Sequence, residues 1–250
     1  MKRPHILLAI LLVTGATTVS AQQRDESAAR CTLVLGFSQT ADWYLAPLSR
    51  GTDDPIQPEG GAIFESIVDG DQWQLKWAGG AGVDVYSNPD AEAWSAPVIS
   101  PCVQASDRPD RIVYMISGPF GEDVQAWVTE IEKALENIRD KFPSVEMIAL
   151  QPVVGGPADA SGNECIAPEG GRVQRRLVRA SWQATPILGA IEIVANRLDG
   201  VVVGATTRVK FCSHYVDGLG HLSDGEMISG AADAAVTTGL FYRDFGFKPE

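Results

Sequence analysis

The chain has 250 residues, of which 45% are hydrophobic, and carries a formal net charge of -12. A chain of this length and apolar content can bury the core of one large domain. Its acidic balance argues against nucleic acid and anionic membrane surfaces as partners, because both are bound through basic patches.

The first residues have the organisation of a secretory signal peptide. A basic start, MKRPH, precedes the apolar run ILLAILLVTGATTV and a small-residue cleavage site, VSA, at 19–21. A membrane anchor is the alternative, but the run is shorter than the roughly 20 apolar residues that span a bilayer, and no later stretch is apolar enough. We predict a signal peptide at 1–21 and a single secreted or periplasmic domain at 22–250, whose charge is -14 without the two basic leader residues.

The first predicted strand runs from Thr32 to Leu35, turns at Gly36 and presents the hydroxyl of Ser38 at its carboxyl end. Open α/β sheets bind ligands along this edge, so Ser38 is a candidate nucleophile. The following residues, 41–70, are rich in Pro, Gly and Asp, which predicts a short helix and a long surface loop.

A second strand is predicted at Trp73–Trp77, and it ends in the glycine-rich segment AGGAG at 78–82. This segment contains neither of the phosphate-binding motifs GxGxxG and GxxxxGK. A glycine turn of this kind can instead direct backbone N–H groups at an oxyanion.

The remaining pattern continues to alternate strands with helices. Strands are predicted at Arg111–Ile116, Val145–Leu150 and Val201–Val203. A helix with apolar residues at spacings of three and four separates the first two and is ended by Pro143. Helical segments, the second starting at Thr185, precede the third.

The closing helix is predicted from about Asp224 towards Tyr242, because Ser223 and Glu226 form a capping box. Strands and helices thus alternate five times without a repeat or a linker, which is typical of a parallel sheet covered on both faces. The predicted fold is α/β, a three-layer α/β/α sandwich around a mainly parallel five-stranded sheet.

All four cysteines, Cys31, Cys102, Cys165 and Cys212, follow the predicted leader, and an even count in an oxidising compartment predicts two disulfides. Metal ligation is the alternative, but there is no CxxC pair and histidines are few. Four cysteines allow three pairings. The first two lie at the amino ends of strands and the last two follow carboxyl ends, so we expect Cys31–Cys102 and Cys165–Cys212.

An activated serine needs a base, preferably one oriented by a carboxylate. Beyond the leader the histidines are His214 and His221, and His221 follows a nearby acid, Asp217, on a loop before the closing helix. We expect His221 to be the base. The alternatives are that it only caps a loop, or that His214 acts instead.

These residues resemble the SGNH (GDSL-type) hydrolases. The segment GFSQTADW, from Gly36 to Trp43, is similar to the family's first block, roughly G-D-S-x-T-x-G-W, and DGLGHLS, from Asp217 to Ser223, is similar to its last block. The glycine-rich turn resembles the second block, with Gly82 as the best match. The order agrees across nearly the whole mature chain.

The resemblance implies an SGNH/flavodoxin-like fold with Ser38 as nucleophile, His221 as general base and then acid, and Asp217 as the orienting carboxylate. The backbone N–H groups of Ser38 and Gly82 would hold the oxyanion. The reaction implied is hydrolysis of a carboxylic ester, of carbohydrate or lipid-like type, through an acyl-enzyme. The substrate would be a small-molecule or glycan ester, and neither a cofactor nor a metal would be needed.

Three positions depart from the family pattern. Phe37 replaces an aspartate, and Gly220 adds one residue between the last-block acid and histidine. Pro119, or Phe120 in a register shifted by one, occupies the place of an asparagine that donates to the oxyanion. Losing such a donor costs on the order of 10²–10³ in turnover. The chain would thus be a slow esterase unless Ser117 or another group supplies that hydrogen bond, and the alternative is a non-catalytic protein of this fold that binds a glycan or a protein.

The α/β-hydrolase fold is a competing template because it shares the order serine, acid, histidine. Its nucleophile motif is G-x-S-x-G after a middle strand, whereas here Thr40 takes the last glycine position and the serine follows the first strand.

Two further groups are assigned structural roles. Core packing is expected for four tryptophans, with the lining of a sugar cleft as the alternative: Trp73, Trp77, Trp94 and Trp127. Four arginines are expected to form a solvated basic helix face: Arg172, Arg175, Arg176 and Arg179.

Overall fold

The computed structural model describes residues 30–46, 62–68, 72–103, 105–158, 165–169, 172–222, 229–244 and 247. The strands are β1 Cys31–Gly36, β2 Gln72–Trp77, β3 Val98–Ile99, β4 Arg111–Ile116, β5 Met147–Pro152, β6 Ile166–Glu169, β7 Arg172–Leu177 and β8 Val201–Val203. The helices are α1 Ser38–Tyr44, α2 Ala62–Ile67, α3 Val83–Tyr86, α4 Val124–Lys141, α5 Arg179–Ala195 and α6 Gly230–Asp244. The predicted signal peptide at 1–21 lies outside the described residues.

The central sheet has the strand order β3-β2-β1-β4-β5-β8. All neighbours pair in parallel except β3, which runs antiparallel to β2. The mainly parallel α/β architecture is therefore confirmed. The sheet has six strands instead of the predicted five, because the edge strand Val98–Ile99 is only two residues long and leaves no alternating pattern in the sequence.

Consecutive residues of β4 show how the helices are divided between the two faces. Side chains alternate between faces along a strand. Met115 Sδ accepts a hydrogen bond from the indole N–H of Trp43 in α1, at 3.3 Å, whereas the preceding Tyr114 ring packs edge-on against Tyr86 of α3, with centroids 5.7 Å apart. Helices α1, α2 and α6 pack together, and α3, α4 and α5 form the second group. The result is the predicted three-layer sandwich.

The segment after β5 differs from the sequence prediction. Strands β6 and β7 pair antiparallel where a helical segment was predicted. One continuous helix, α5, begins at Arg179 and passes through Pro186, so the predicted start at Thr185 is wrong. An internal proline costs a helix about 3 kcal/mol, and the buried residues on either side of it, such as Ala184 and Ile187, offset that cost.

The closing helix α6 starts at Gly230, and the capping box predicted for it lies outside the described residues. Among the helices of the described segments, none has both the length and the hydropathy needed to cross a bilayer.

Two disulfides tie this architecture together. Cys31 is bonded to Cys102 and Cys165 to Cys212, which are the pairs expected from the sequence. The first joins the start of β1 to the loop before β4. The second joins the residue before β6 to the short 3₁₀ turn at Cys212–His214, which precedes the loop that carries His221.

Candidate active site

Ser38 is the first residue of α1, and only Phe37 separates it from the end of β1. Strand β1 lies between β2 and β4, so the strands that follow it in the chain are added first on one side of it and then on the other. Ligands of open α/β sheets bind where the strand order reverses in this way. The turn into α1 requires Gly36, because a Cβ there would lie 2.2 Å from Thr40 Oγ1. That hydroxyl accepts a hydrogen bond from the N–H of Phe37 at 3.2 Å. The sharp turn thus places the serine hydroxyl at the carboxyl edge.

The structure brings Ser38, His221 and Asp217 into one hydrogen-bonded chain. Ser38 Oγ lies 2.7 Å from His221 Nε2, and His221 Nδ1 lies 2.6 Å from Asp217 Oδ2. An ionised carboxylate can only accept, so Nδ1 carries the proton and Nε2 is left as the acceptor for the serine hydroxyl. The side chains of the histidine and the aspartate are 33% and 30% exposed, so a ligand can reach this hydrogen-bonded group.

Asp217 also shapes the loop that carries the histidine. Its Oδ1 accepts the backbone N–H groups of Leu219, Gly220 and His221 at 2.9, 2.9 and 3.1 Å. Burial acts to raise the pKa of Asp217, but hydrogen bonds from the His221 side chain and from the N–H groups of Gly220 and His221 outweigh it, and the pKa is lowered. The carboxylate is therefore ionised at neutral pH.

Gly220 accommodates the extra residue between the acid and the histidine. Its φ is +104°, in the region that favours glycine, and a Cβ there would lie 2.3 Å from the Cβ of Ala180 in α5. The loop therefore packs against the start of α5, where the N–H of Arg179 donates to Gly218 O at 2.8 Å. The longer spacing is absorbed by a left-handed residue that only glycine fits.

Helix α1 holds the histidine loop as well as the serine. Gln39, fully buried, donates from Nε2 to Gly220 O at 2.7 Å and accepts the N–H of Val154 at 2.8 Å. Asp42 Oδ2 accepts the N–H of Leu222 at 3.0 Å. The residues on both sides of His221 are thus anchored to the helix that begins with Ser38. This role could not be predicted from the sequence, because polar residues in a helix give no local sign of partners more than 100 positions away.

A cavity of about 400 Å³ opens onto this hydrogen-bonded chain. Besides the serine and the histidine, it is lined by residues that include Phe37, Gly79, Gly80, Gly82, Asp84, Ser117, Gly118, Pro119 and Arg179. Gly82 must be glycine, since a Cβ there would lie 2.8 Å from Ser117 O. The loops after β1, β2 and β4 therefore meet at one opening.

The two predicted oxyanion donors differ in their present partners. The N–H of Ser38 finds no acceptor within the described part of the chain, as is usual in the first turn of a helix. The N–H of Gly82 donates to Gly80 O at 3.0 Å. An oxyanion would have to share the second donor with that carbonyl or displace it.

The loop after β4 lacks the asparagine of the family pattern. Pro119 has no donor, and the ring of Phe120 packs against Trp127, with centroids 5.1 Å apart. Arg179 lines the cavity here, and its guanidinium donates a hydrogen bond to Gly118 O. Arg179 is therefore a residue of the cavity, which corrects the expectation of a solvated helix face. The other three arginines of that group lie in β7.

His214 lies away from this cavity. Its Nδ1 is 3.4 Å from Asp233 Oδ2, and its ring contacts Phe211. His221 is thus the histidine that meets the serine. Among the residues that the structure describes, no group of three or more His, Cys, Asp or Glu side chains could hold a metal ion.

No protein-family model and no curated protein sequence matches the chain. Among solved structures, the chain is similar to a protein from Arabidopsis thaliana, with 10% identity and a TM-score of 0.45 over 87% of this chain and 97% of that one. It is also similar to a carbohydrate esterase whose active site displays divergent catalytic and non-catalytic binding functions, with 13% identity and a TM-score of 0.42. That likeness covers 84% of this chain and 63% of the esterase.

Proposed function

We propose that the protein is a secreted or periplasmic serine esterase of SGNH type, which hydrolyses a carboxylic ester through an acyl-enzyme. The observation that carries the proposal is the hydrogen-bonded chain from Ser38 Oγ to His221 to Asp217, with links of 2.7 and 2.6 Å at the mouth of a cavity. A nucleophile, a base and an orienting acid in this geometry are what acyl transfer requires.

The reaction follows from the protonation states. As Ser38 Oγ attacks the ester carbon, its proton passes to His221 Nε2, and ionised Asp217 stabilises the imidazolium by accepting from Nδ1. Collapse of the tetrahedral intermediate breaks the bond to the alcohol, which leaves with the proton from Nε2. Water then attacks the acyl-serine and gives a proton to the same nitrogen. As the second tetrahedral intermediate breaks its bond to Ser38 Oγ, Nε2 returns that proton to the serine, and the carboxylic acid is released.

The charge on the carbonyl oxygen would be held by the N–H groups of Ser38 and Gly82. The guanidinium of Arg179 adds a positive charge to the same cavity and, in this proposal, compensates for the missing asparagine. Charged donors in a partly desolvated site stabilise developing negative charge strongly, and one such donor is worth on the order of 10²–10³ in turnover.

The test is hydrolysis of p-nitrophenyl acetate and butyrate by the purified mature protein, combined with labelling by a fluorophosphonate probe. We expect turnover and labelling at Ser38, both lost in Ser38→Ala and His221→Ala. Ser144→Ala is the matched control, because its hydroxyl donates to Pro109 O, outside the cavity. A folded protein that neither turns over esters nor reacts with the probe would refute the proposal.

A non-catalytic member of the same fold, binding a glycan or a protein, is the second candidate. It is favoured by the loop after β4, where neither Pro119 nor Phe120 can donate to an oxyanion. In this case Ser38→Ala would bind its ligand as the wild type does, and no ester would be hydrolysed by either.

A further inference from the structure

A second cavity adjoins the one that contains Ser38. It has a volume of about 510 Å³ and shares Gly79 and Gly80 with the first cavity. A Cβ added to either glycine would meet nothing within 4 Å, and both glycines are exposed. The rim between the two cavities therefore carries no side chain, and a single ligand can extend across it.

The second cavity combines an aromatic surface with polar groups. Trp77, the last residue of β2, lines it together with Val85, Glu92, Ala93, Ser95 and Pro97. Trp77 is the register partner of Gly36, so this indole belongs to the strand end beside the one that leads to Ser38. It is half-buried, whereas Trp43, Trp73, Trp94 and Trp127 are buried in the core. Core packing is thus the role of those four tryptophans, while Trp77 has a surface available to a ligand.

The polar groups narrow the class of ligand. The carboxylate of Glu92 and the hydroxyl of Ser95 are exposed at the cavity and can accept hydrogen bonds from hydroxyl groups. The carboxylate and the net charge of -12 both oppose an anionic ligand. A ligand with a flat apolar ring face bordered by hydroxyl groups fits this combination. The indole of Trp77 offers a large apolar surface for the ring face, and the carboxylate of Glu92 can accept hydrogen bonds from the hydroxyl groups.

We propose that the second cavity is a subsite for the alcohol part of the substrate and that it binds a neutral sugar ring against Trp77. The inference rests on the proposed esterase function and narrows its substrate to a carbohydrate ester. The acyl group occupies the cavity at Ser38. The sugar that bears it extends over the bare rim at Gly79 and Gly80.

The kinetic test compares a mono-acetylated methyl β-D-glucopyranoside with ethyl acetate, which shares the acyl group but lacks the ring. We expect Trp77→Ala to lower kcat/KM for the sugar ester about tenfold more than for ethyl acetate, equivalent to about 1.4 kcal/mol. Trp77→Phe should restore part of the difference. Gly79→Leu should impose the same selectivity by obstructing the rim, whereas Gly189→Leu, a change of equal size into open space on α5, should leave both rates unchanged.

A binding measurement separates this inference from the esterase proposal. The inactive Ser38→Ala variant is mixed with unacetylated methyl β-D-glucopyranoside, and saturation-transfer NMR is recorded with and without Trp77→Ala. Binding that depends on Trp77 supports the subsite even if no ester is hydrolysed. Turnover of small esters without Trp77-dependent sugar binding overturns the subsite and leaves the esterase standing. Phenyl acetate, whose alcohol part is an aromatic ring, is a further substrate. If Trp77→Ala slows hydrolysis of phenyl acetate as much as that of the sugar ester, and the glucoside does not bind, then the subsite binds an aromatic ring and the sugar assignment is wrong.

Discussion

Replacing Gln39 tests how the loop that carries His221 is held. In Gln39→Met the side chain keeps its length but loses both polar atoms, which leaves Gly220 O and the N–H of Val154 without their partners. Both residues are buried. A buried backbone group deprived of its hydrogen bond costs about 1–3 kcal/mol, so the two together should lower the free energy of unfolding by about 2–6 kcal/mol.

The same substitution should also reduce turnover. Gly220 precedes His221, and a displacement of about 1 Å in a catalytic group can cost about 10²-fold in rate. We therefore expect kcat on p-nitrophenyl acetate to fall by about that factor, with little change in KM. The stability is measured by urea unfolding, and the kinetics are measured at a temperature where the variant is folded.

Gln74→Met is the matched control for this experiment. Gln74 is also fully buried and bridges two backbone groups, donating to Ser106 O at 2.9 Å and accepting the N–H of Cys102 at 3.1 Å. Its replacement should cost stability without affecting kcat, because neither partner lies in the histidine loop. Equal losses of kcat in the two variants, or an unchanged kcat in Gln39→Met, would refute the reasoning.

Two further predictions concern the charges at the site. Because folding lowers the pKa of Asp217, its carboxylate stabilises the fold above the ordinary carboxyl value of about 3.9, and this contribution is lost as the pH falls through the folded pKa. Urea unfolding should therefore show Asp217→Asn destabilised most at neutral pH, with a loss that shrinks as the pH falls below the ordinary carboxyl value. Asp107→Asn, at an exposed position, is the control. A loss in Asp217→Asn that is independent of pH would contradict the prediction. Arg179→Met should lower kcat by on the order of 10²–10³ and Arg179→Lys by less, with Arg197→Met as the surface control. Unchanged kcat in Arg179→Met would remove the arginine from the mechanism.

The strand and helix pattern was predictable because it depends on local spacing. Apolar runs predicted five of the six strands of the central sheet. Apolar residues spaced three and four positions apart predicted the long helix α4. The same local spacing failed for β6 and β7, whose sequences, IAPE and RVQRRL, carry no regular alternation of apolar and polar residues. It also failed at Pro186, where burial of the neighbouring residues overrides a local signal that usually ends or starts a helix.

The amino-acid sequence by itself determined which residues could form the site: a serine after the first strand, a glycine turn after the second, and an acid and a histidine before the last helix. Only the tertiary structure decided their partners. The links from Gln39 to Gly220 and Val154 join positions 181 and 115 residues apart, and Arg179 enters the cavity from a helix whose start was not predicted. Such contacts depend on the order of the strands and the packing of loops at one sheet edge, which no short stretch of sequence encodes.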